Sequence, residues 1–529
     1  MSCNETENAS TYFKTAEKNG QLVNEGIKRC SEYAHAWLAY ADSSTGLLPE
    51  NLVNRTDIWS IHNSAADNYP FLVLTLWLID STLFNGTMIN ILKTETELTS
   101  RVGKLPDGYS FSKRGFADEN VNMDRIIFGA SEYAKDGLLP VTELLGSSPW
   151  SQRMIDLIDG IWANAPIQTK YGLIPSTNIE VNGEQLQLLA RVYWMTGDHK
   201  YLDWAVRLGD YYLLDNHHPT RNFELLRLRD HGCEIVDGLC ELYATVNFAL
   251  PEKKQQYEKP IHEMLDRILE VGRNEDGMFY NFVNPQTGEI IDSRIADTYG
   301  YVYNGFYTVY LIDKENKYRD AVLHALSSLK KYRNFDWEAG SADGFADAIE
   351  SALNLYNRES LPDVADWIDS EMKIMWSLQD SSYRESAQQW KNSGIIEGWY
   401  GDGNFARTTI MYCFWKTQGV FVSPWKEDVI VGADYKNNEL YLSIKSAQAW
   451  KGKILFDTQR YKDGMKLPID FPRINQFPEW YTINPQMQYE VKNVTTNSTR
   501  KYKGSDLEKG MFIKLDANIS YMLKIKQIH

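Results

Sequence analysis

Arg227-Leu-Arg-Asp-His-Gly-Cys-Glu-Ile-Val-Asp-Gly-Leu-Cys-Glu241 joins a charged loop to an apolar helix. Ile235, Leu239, Leu242, Tyr243 and Val246 recur at helical spacing, and Asp230 or Gly232 stands where an N-cap belongs. The same arrangement returns at Asn63-Ser-Ala-Ala-Asp-Asn-Tyr69, Gly115-Phe-Ala-Asp-Glu-Asn120, Asn182-Gly-Glu-Gln185, Ala296-Asp-Thr-Tyr-Gly-Tyr301, Ser341-Ala-Asp-Gly-Phe-Ala-Asp347 and Gly401-Asp-Gly-Asn-Phe-Ala-Arg407. Each is small, polar and acidic, and each opens an apolar helix of about four turns. Helices near 150–164, 199–214, 256–271, 316–332 and 361–378 carry more charge, as an outer, solvated layer must.

A second motif punctuates the chain: Thr45-Gly-Leu-Leu-Pro49, Asp136-Gly-Leu-Leu-Pro140, Tyr171-Gly-Leu-Ile-Pro175 and Asp276-Gly-Met-Phe-Tyr280. It reads as a glycine C-cap followed by a stop, at intervals of roughly 50 to 65 residues, which is an internal repeat of helical hairpins. The fold class is therefore mainly α, an (α/α)6-type toroid with six hairpin pairs, or seven if the first hairpin counts separately. Its inner helices run parallel, so their first turns gather at one mouth. Strand signals are nearly absent before Pro424. Beyond it, Asp428-Val-Ile-Val-Gly-Ala-Asp, Glu439-Leu-Tyr-Leu-Ser-Ile-Lys and Gly510-Met-Phe-Ile-Lys-Leu alternate in the manner of strands. The boundaries that follow are a flexible N-terminus (1–21), the toroid (22–424) and a small antiparallel β-sandwich (425–529) that buttresses it.

Composition narrows the function. A formal charge of -16 argues against nucleic acid or an anionic membrane surface as a general partner. The 16 Trp and 32 Tyr suit sugar stacking, since rings pack on sugar faces while their polar tips bond hydroxyls. No run of about 18 apolar residues spans a membrane, and no signal-peptide core is present. Cys3, Cys30, Cys233, Cys240 and Cys413 are scattered and read as buried small hydrophobes. Neither a Cys/His metal spacing nor a cofactor fingerprint is present, so no metal and no cofactor is expected. A cysteine as early as Cys3 fits a lipoprotein whose leader was trimmed, which would place the chain in the periplasm or anchored at the envelope; without a leader it is cytoplasmic. Composition leaves the oligomeric state open.

A hairpin toroid followed by a β-sandwich, rich in aromatics, resembles toroid carbohydrate-active enzymes. The group includes heparinase-type polysaccharide lyases, unsaturated-glucuronyl hydrolases, and exo-acting β-glucuronidases and oligosaccharide dehydratases of marine and gut Bacteroidetes. Gly401-Asp-Gly-Asn-Phe-Ala-Arg-Thr-Thr and Trp415-Lys-Thr-Gln-Gly419 look most like the last subgroup. That resemblance implies action on the terminal uronic acid of an anionic, ulvan-type oligosaccharide.

Two reactions then compete. Eliminating water from C4–C5 needs a base for the C5 proton, an acid for the departing hydroxyl, and a clamp that neutralises the carboxylate. His62 or His231 supplies base or acid, with Tyr299 or Tyr301 as partner. Arg227, Arg229 or Arg407, with Asn63, forms the clamp. Glu234 adds a carboxylate, and Trp399, Asn404 and Asp343 bind sugar, with Glu397 beside them. Hydrolysis of a β-glucuronide instead needs two carboxylates flanking the bond. Asp67, Asp118, Glu119, Glu234, Asp297, Asp343, Asp347 and Asp402 are the acids at helix starts. Elimination is the expected reaction, because histidine, tyrosine and arginine dominate these loops. A glycan-binding protein without catalysis would need neither the histidines nor the acids.

Overall fold

The computed structural model describes residues 2–381 and 389–528. Helices α1 (Ser2–Leu38), α2 (Tyr69–Ile79), α3 (Ser81–Leu83) and α4 (Ile89–Thr99) come first. They are followed by α5 (Met123–Glu132), α6 (Leu139–Leu145), α7 (Pro149–Ala163), α8 (Ile179–Thr196) and α9 (His199–Leu213). Then come α10 (Glu234–Ala249), α11 (Pro251–Val271), α12 (Tyr299–Asp313), α13 (Asn316–Ser328), α14 (Ala342–Arg358), α15 (Pro362–Ser381) and α16 (Gly401–Thr417).

Among the described residues the ring closes with seven helix pairs, the larger of the two counts the repeat allowed. The inner wall runs from the Ile61–Asn68 π turn with α2, through α5–α6, α8, α10, α12 and α14, to α16, which packs back on α2. The outer members α1, α4, α7, α9, α11, α13 and α15 each precede an inner one. The first hairpin belongs to the ring because α1 is helical far earlier than expected. Phe13, Ala16, Val23, Ile27, Cys30, Ala34 and Trp37 make one buried stripe of helical spacing. The stretch read as flexible up to Gly20 is thus packed helix. A Cβ on Gly432 would fall 2.1 Å from the Gly20 nitrogen, so glycine there lets α1 lie on the strand Val429–Lys436. Cys3 lies outside the described side chains; Cys30, Cys233, Cys240 and Cys413 are buried and free.

Two punctuation motifs are not helix stops. Asp136-Gly-Leu-Leu-Pro140 lies inside a helix: a π turn, Tyr133–Leu138, links α5 to α6, with Pro140 in the first turn of α6, where it forfeits no helical bond. Tyr171-Gly-Leu-Ile-Pro175 forms a hairpin, Ile167–Thr169 with Gly172–Ile174. Further short strands line the toroid's connections, among them Leu226–Arg227, Tyr280–Val283 and Ile290–Ile295, so strands are commoner there than the residue pattern implied.

The C-terminal region starts at Val420 and holds two antiparallel sheets over a shared core. One has three strands, Val420–Ser423, Trp450–Phe456 and Met511–Leu515. The other has five, in the order Val429–Lys436, Glu439–Ser446, Ser520–Ile528, Gln488–Asn493, Ser498–Lys503. Between strands, residues 457–483 leave the sheets and close the far end of the ring. Arg358 there donates to Asp470 Oδ1 at 2.9 Å, and Arg191 donates to the Ile474 carbonyl at 3.3 Å. Among the described residues no helix is long and apolar enough to cross a membrane.

Candidate active site

The first turns of the inner helices surround a cavity of about 350 Å³ at the ring's mouth, within the range of small-molecule sites. Of the residues singled out from sequence, His62, Asn63, Arg227, His231, Glu234, Tyr301, Asp343, Asn404 and Arg407 line it. Three others do not. Tyr299 is buried behind the wall, where its hydroxyl donates to the Ala348 carbonyl at 3.0 Å. Arg229 turns aside to pair with Glu338 at 2.8 Å. Trp399 packs edge-on against Tyr400, and it is Tyr400 that faces the cavity. Glu397 accepts the Ala342 N–H at 2.6 Å and so holds the start of α14.

Of the acids read for hydrolysis, Asp67, Glu234, Asp343 and Asp347 line the cavity. Asp118 and Glu119 are exposed in the loop before α5, where Asp118 pairs with Arg125. Asp402 is a structural acceptor, taking the N–H groups of Ile396, Glu397 and Gly398 and the Trp37 indole. Asp297 is buried beside Thr298, whose N–H it accepts at 2.9 Å.

One wall is built by α14, α16 and α12. Ser341 caps α14 by accepting the Gly344 N–H at 2.9 Å, which turns Asp343 and Asp347, one helical turn apart, towards the cavity. Asn404 donates to Asp343 at 2.5 Å. Arg407 donates to Asp347 at 2.6 Å and pairs with Glu350 at 2.9 Å, and the Tyr301 hydroxyl donates to Asp347 at 2.9 Å. Burial, then the carboxylates of Asp347 and Glu338, push the Asp343 carboxyl well above its usual range, towards the protonated form.

The facing wall is built by the π turns, α5, α8 and the Asp230–Cys233 turn. His62 Nδ1 lies 3.1 Å from Glu132 Oε2, and His231 Nε2 lies 3.6 Å from Glu132 Oε1. Burial alone would lower both imidazoles. Glu132 and Asp67 instead raise His62 to about 9, and Glu132, Glu180, Asp136 and Glu184 raise His231 to about 10. Both rings are therefore cations at neutral pH and poor bases there. Lys135 bridges Asp136 and Glu234, and Gln187 donates to Glu234. Backbone contact makes this possible: a Cβ on Gly183 would lie 2.5 Å from the Glu234 backbone, so α8 and α10 touch.

Several lining residues escaped the sequence reading: Phe128, Glu132, Asp136, Glu180, Glu338 and Asn475. A signal existed for three of them. Glu132/Asp136 and Glu180/Glu184 are acids four residues apart in apolar helices, a spacing that is unfavourable unless something needs it. Asn475 comes from the C-terminal region, which is thus more than a buttress: its side chain donates to Asp136 Oδ1 at 2.7 Å, and its N–H to Glu350 Oε1 at 2.7 Å.

No family model and no curated protein matches the chain. It is similar to a solved inactive variant of an α-1,6-mannanase of Salegentibacter sp. HEL1_6 bound to α-1,6-mannotetrose (12% identity, 73% of this chain and 98% of that one, TM-score 0.40). It is also similar to a cellobiose 2-epimerase from Spirochaeta thermophila (11% identity, 60% and 86%, TM-score 0.40). A family 88 glycosyl hydrolase from Bacteroides vulgatus is a third (14% identity, 54% and 90%, TM-score 0.37). Likeness at this level carries no argument about chemistry, which rests on the site.

Proposed function

We propose that the chain is a glycoside hydrolase that takes the terminal residue of an oligosaccharide into the toroid mouth. The observation that carries this is the Asp343–Asp347 pair. One turn of helix puts both side chains on the same face of α14, side by side on the cavity lining, as a pair of carboxylates flanking a glycosidic bond requires. Their surroundings differ. Burial and neighbouring carboxylates push Asp343 up, towards the acid that protonates a leaving oxygen, while Arg407 and Tyr301 hold Asp347 in place beside the anomeric carbon. Tyr400 and Phe128, on the cavity lining, supply faces for the sugar ring.

A second reading is elimination of water from a terminal uronate, with an ulvan-type oligosaccharide as the substrate to try. Its support is the convergence of His62, His231, Arg227 and Tyr301 on one cavity. Against it stands the lack of a ready base, since both imidazoles are protonated at neutral pH. The arginines are also engaged: Arg227 by Asp230, Arg229 by Glu338, Arg407 by Asp347.

One incubation separates the readings. The purified chain is mixed with neutral and uronate-terminated oligosaccharides, and both released sugar and absorbance near 235 nm are followed. Hydrolysis releases a monosaccharide with no absorbance change; a rising signal means a conjugated double bond and elimination. Inertness towards every glycan would leave a binding protein.

A further inference from the structure

We propose that the wall opposite Asp343 and Asp347 is a divalent-cation site, with Glu132, Glu180, Glu184 and His231 as ligands. Each offers one ligand atom, and these atoms all lie within 4.8 Å of one another. His231 Nδ1 is 3.7 Å from Glu180 Oε1 and 4.0 Å from Glu184 Oε1. Such separations are too long for hydrogen bonds. They suit groups that share an ion, since ligand atoms at about 2.0–2.4 Å from one metal stand roughly 3–4.5 Å apart.

An acidic cluster alone would not suffice; Glu184 provides the independent observation. It is 0% exposed, neither carboxylate oxygen has a hydrogen-bond partner, and one oxygen points at His231. A carboxylate buried without a partner is costly, and protein normally removes or satisfies it. Asp136 Oδ2, also unpartnered, lies 3.9 Å from the same imidazole.

Three carboxylates and one imidazole, which gives up its proton when an ion binds, suit Mn²⁺ or Zn²⁺ better than a soft ion. The ligands sit on α5, α8 and the turn before α10, so no single stretch of the chain holds the whole set. An ion here would face the sugar as a ligand for hydroxyl or carboxylate oxygens. It would also give an acidic wall the means to hold an anionic sugar. The inference stands apart from the glycosidase reading, because its readout is binding.

The test uses the full chain after dialysis against EDTA. It is titrated with MnCl2 and separately with ZnCl2, followed by calorimetry and, for manganese, by loss of the free-ion paramagnetic resonance signal. One ion should bind per chain and raise the melting temperature. Glu184→Gln should weaken binding about tenfold or more with circular dichroism unchanged; Glu180→Gln carries the test if that variant does not fold. Asp343→Asn, from the other wall, should bind the ion as the parent does, whatever its activity. Absence of binding at millimolar metal, or equal affinity in the glutamine variants, would overturn the proposal.

Discussion

The two walls of the cavity begin from the same kind of helix start and solve the burial of acid in opposite ways. On the α14–α16 wall, Asp347 and Glu350 share Arg407, Asp343 takes the Asn404 amide, and Tyr301 completes the set. On the α5–α8 wall, Glu184 and one oxygen of Asp136 have no hydrogen-bond partner; His62 sits close to Glu132, but His231 answers Asp136 and Glu184 only at distance. The first wall is held by close pairs, with Glu350 Oε2 and Arg407 Nε meeting as an ion pair at 2.9 Å rather than in a hydrogen bond. The second is arranged around something else. That difference divides the chemistry: a settled acid pair on one side, an ion or substrate pole on the other.

The comparison breaks most visibly at Asp343. Asparagine there keeps the shape and the Asn404 contact but has no proton to give. Turnover should fall about 10²- to 10⁴-fold with the melting temperature unchanged. Equal turnover would remove Asp343 from the chemistry and return the acid role to Asp67 on the facing wall, whose carboxyl burial and Glu132 also push up.

Arg407→Met is the next largest effect. Arg407 is 4% exposed and serves two carboxylates, so its loss leaves both buried without their cation. Breaking such a pair costs about 3–5 kcal/mol, read as a lower denaturant midpoint. A variant as stable as the parent would mean that the α14–α16 wall is not held by charge.

How far the chain announced these walls depends on how local each one is. Ser341, Asp343 and Asp347 carry their meaning in seven consecutive residues: cap, first turn, same-face acids. Gly401–Arg407 is equally local, and Gly403 is glycine because its Cβ would fall 1.7 Å from the Asp67 carbonyl. The opposite wall is not local. Gly137 and Pro140 look like a stop, yet the π turn carries the helix through and brings Asp136 to the cavity. Glu180 and Glu184 follow the true cap, Asn178, four residues earlier than the start read from Asn182. Asn475 arrives from a segment 339 residues beyond Asp136, where no periodicity can announce it. The choice between six and seven pairs was left open for the same reason, by an α1 whose apolar stripe begins inside a polar, weakly patterned opening.

One matched pair of substitutions sharpens the contrast further. Asp347→Asn takes an anion from Arg407 and should destabilise by about 1–3 kcal/mol, the cost of an imperfectly satisfied buried group. Glu184→Gln, measured in chelator, removes a desolvated carboxyl that has no partner and should stabilise by about 1 kcal/mol. Opposite signs in urea melts support the two-wall account; the same sign in both would end it.

The smallest effect is a pH slope on the first wall. Asp297 lies behind it, and burial, then Asp347 and Glu338, raise its carboxyl to about 7 from an ordinary 3.8. Between those values the folded chain holds a proton that the unfolded chain has lost. Stability from this group is therefore full below about pH 4, falls as pH rises to about 7, and is flat beyond. A shift of this size has a ceiling of about 4 kcal/mol at 1.36 kcal/mol per unit, and relaxation of the neighbours brings the expectation to on the order of 1 kcal/mol. Asp297→Asn cannot titrate, so its urea midpoint should exceed the parent's at pH 8 and converge with it near pH 4. Parallel pH profiles for the two proteins would show that Asp297 ionises freely, and that the charge of Asp347 is spent entirely on Arg407.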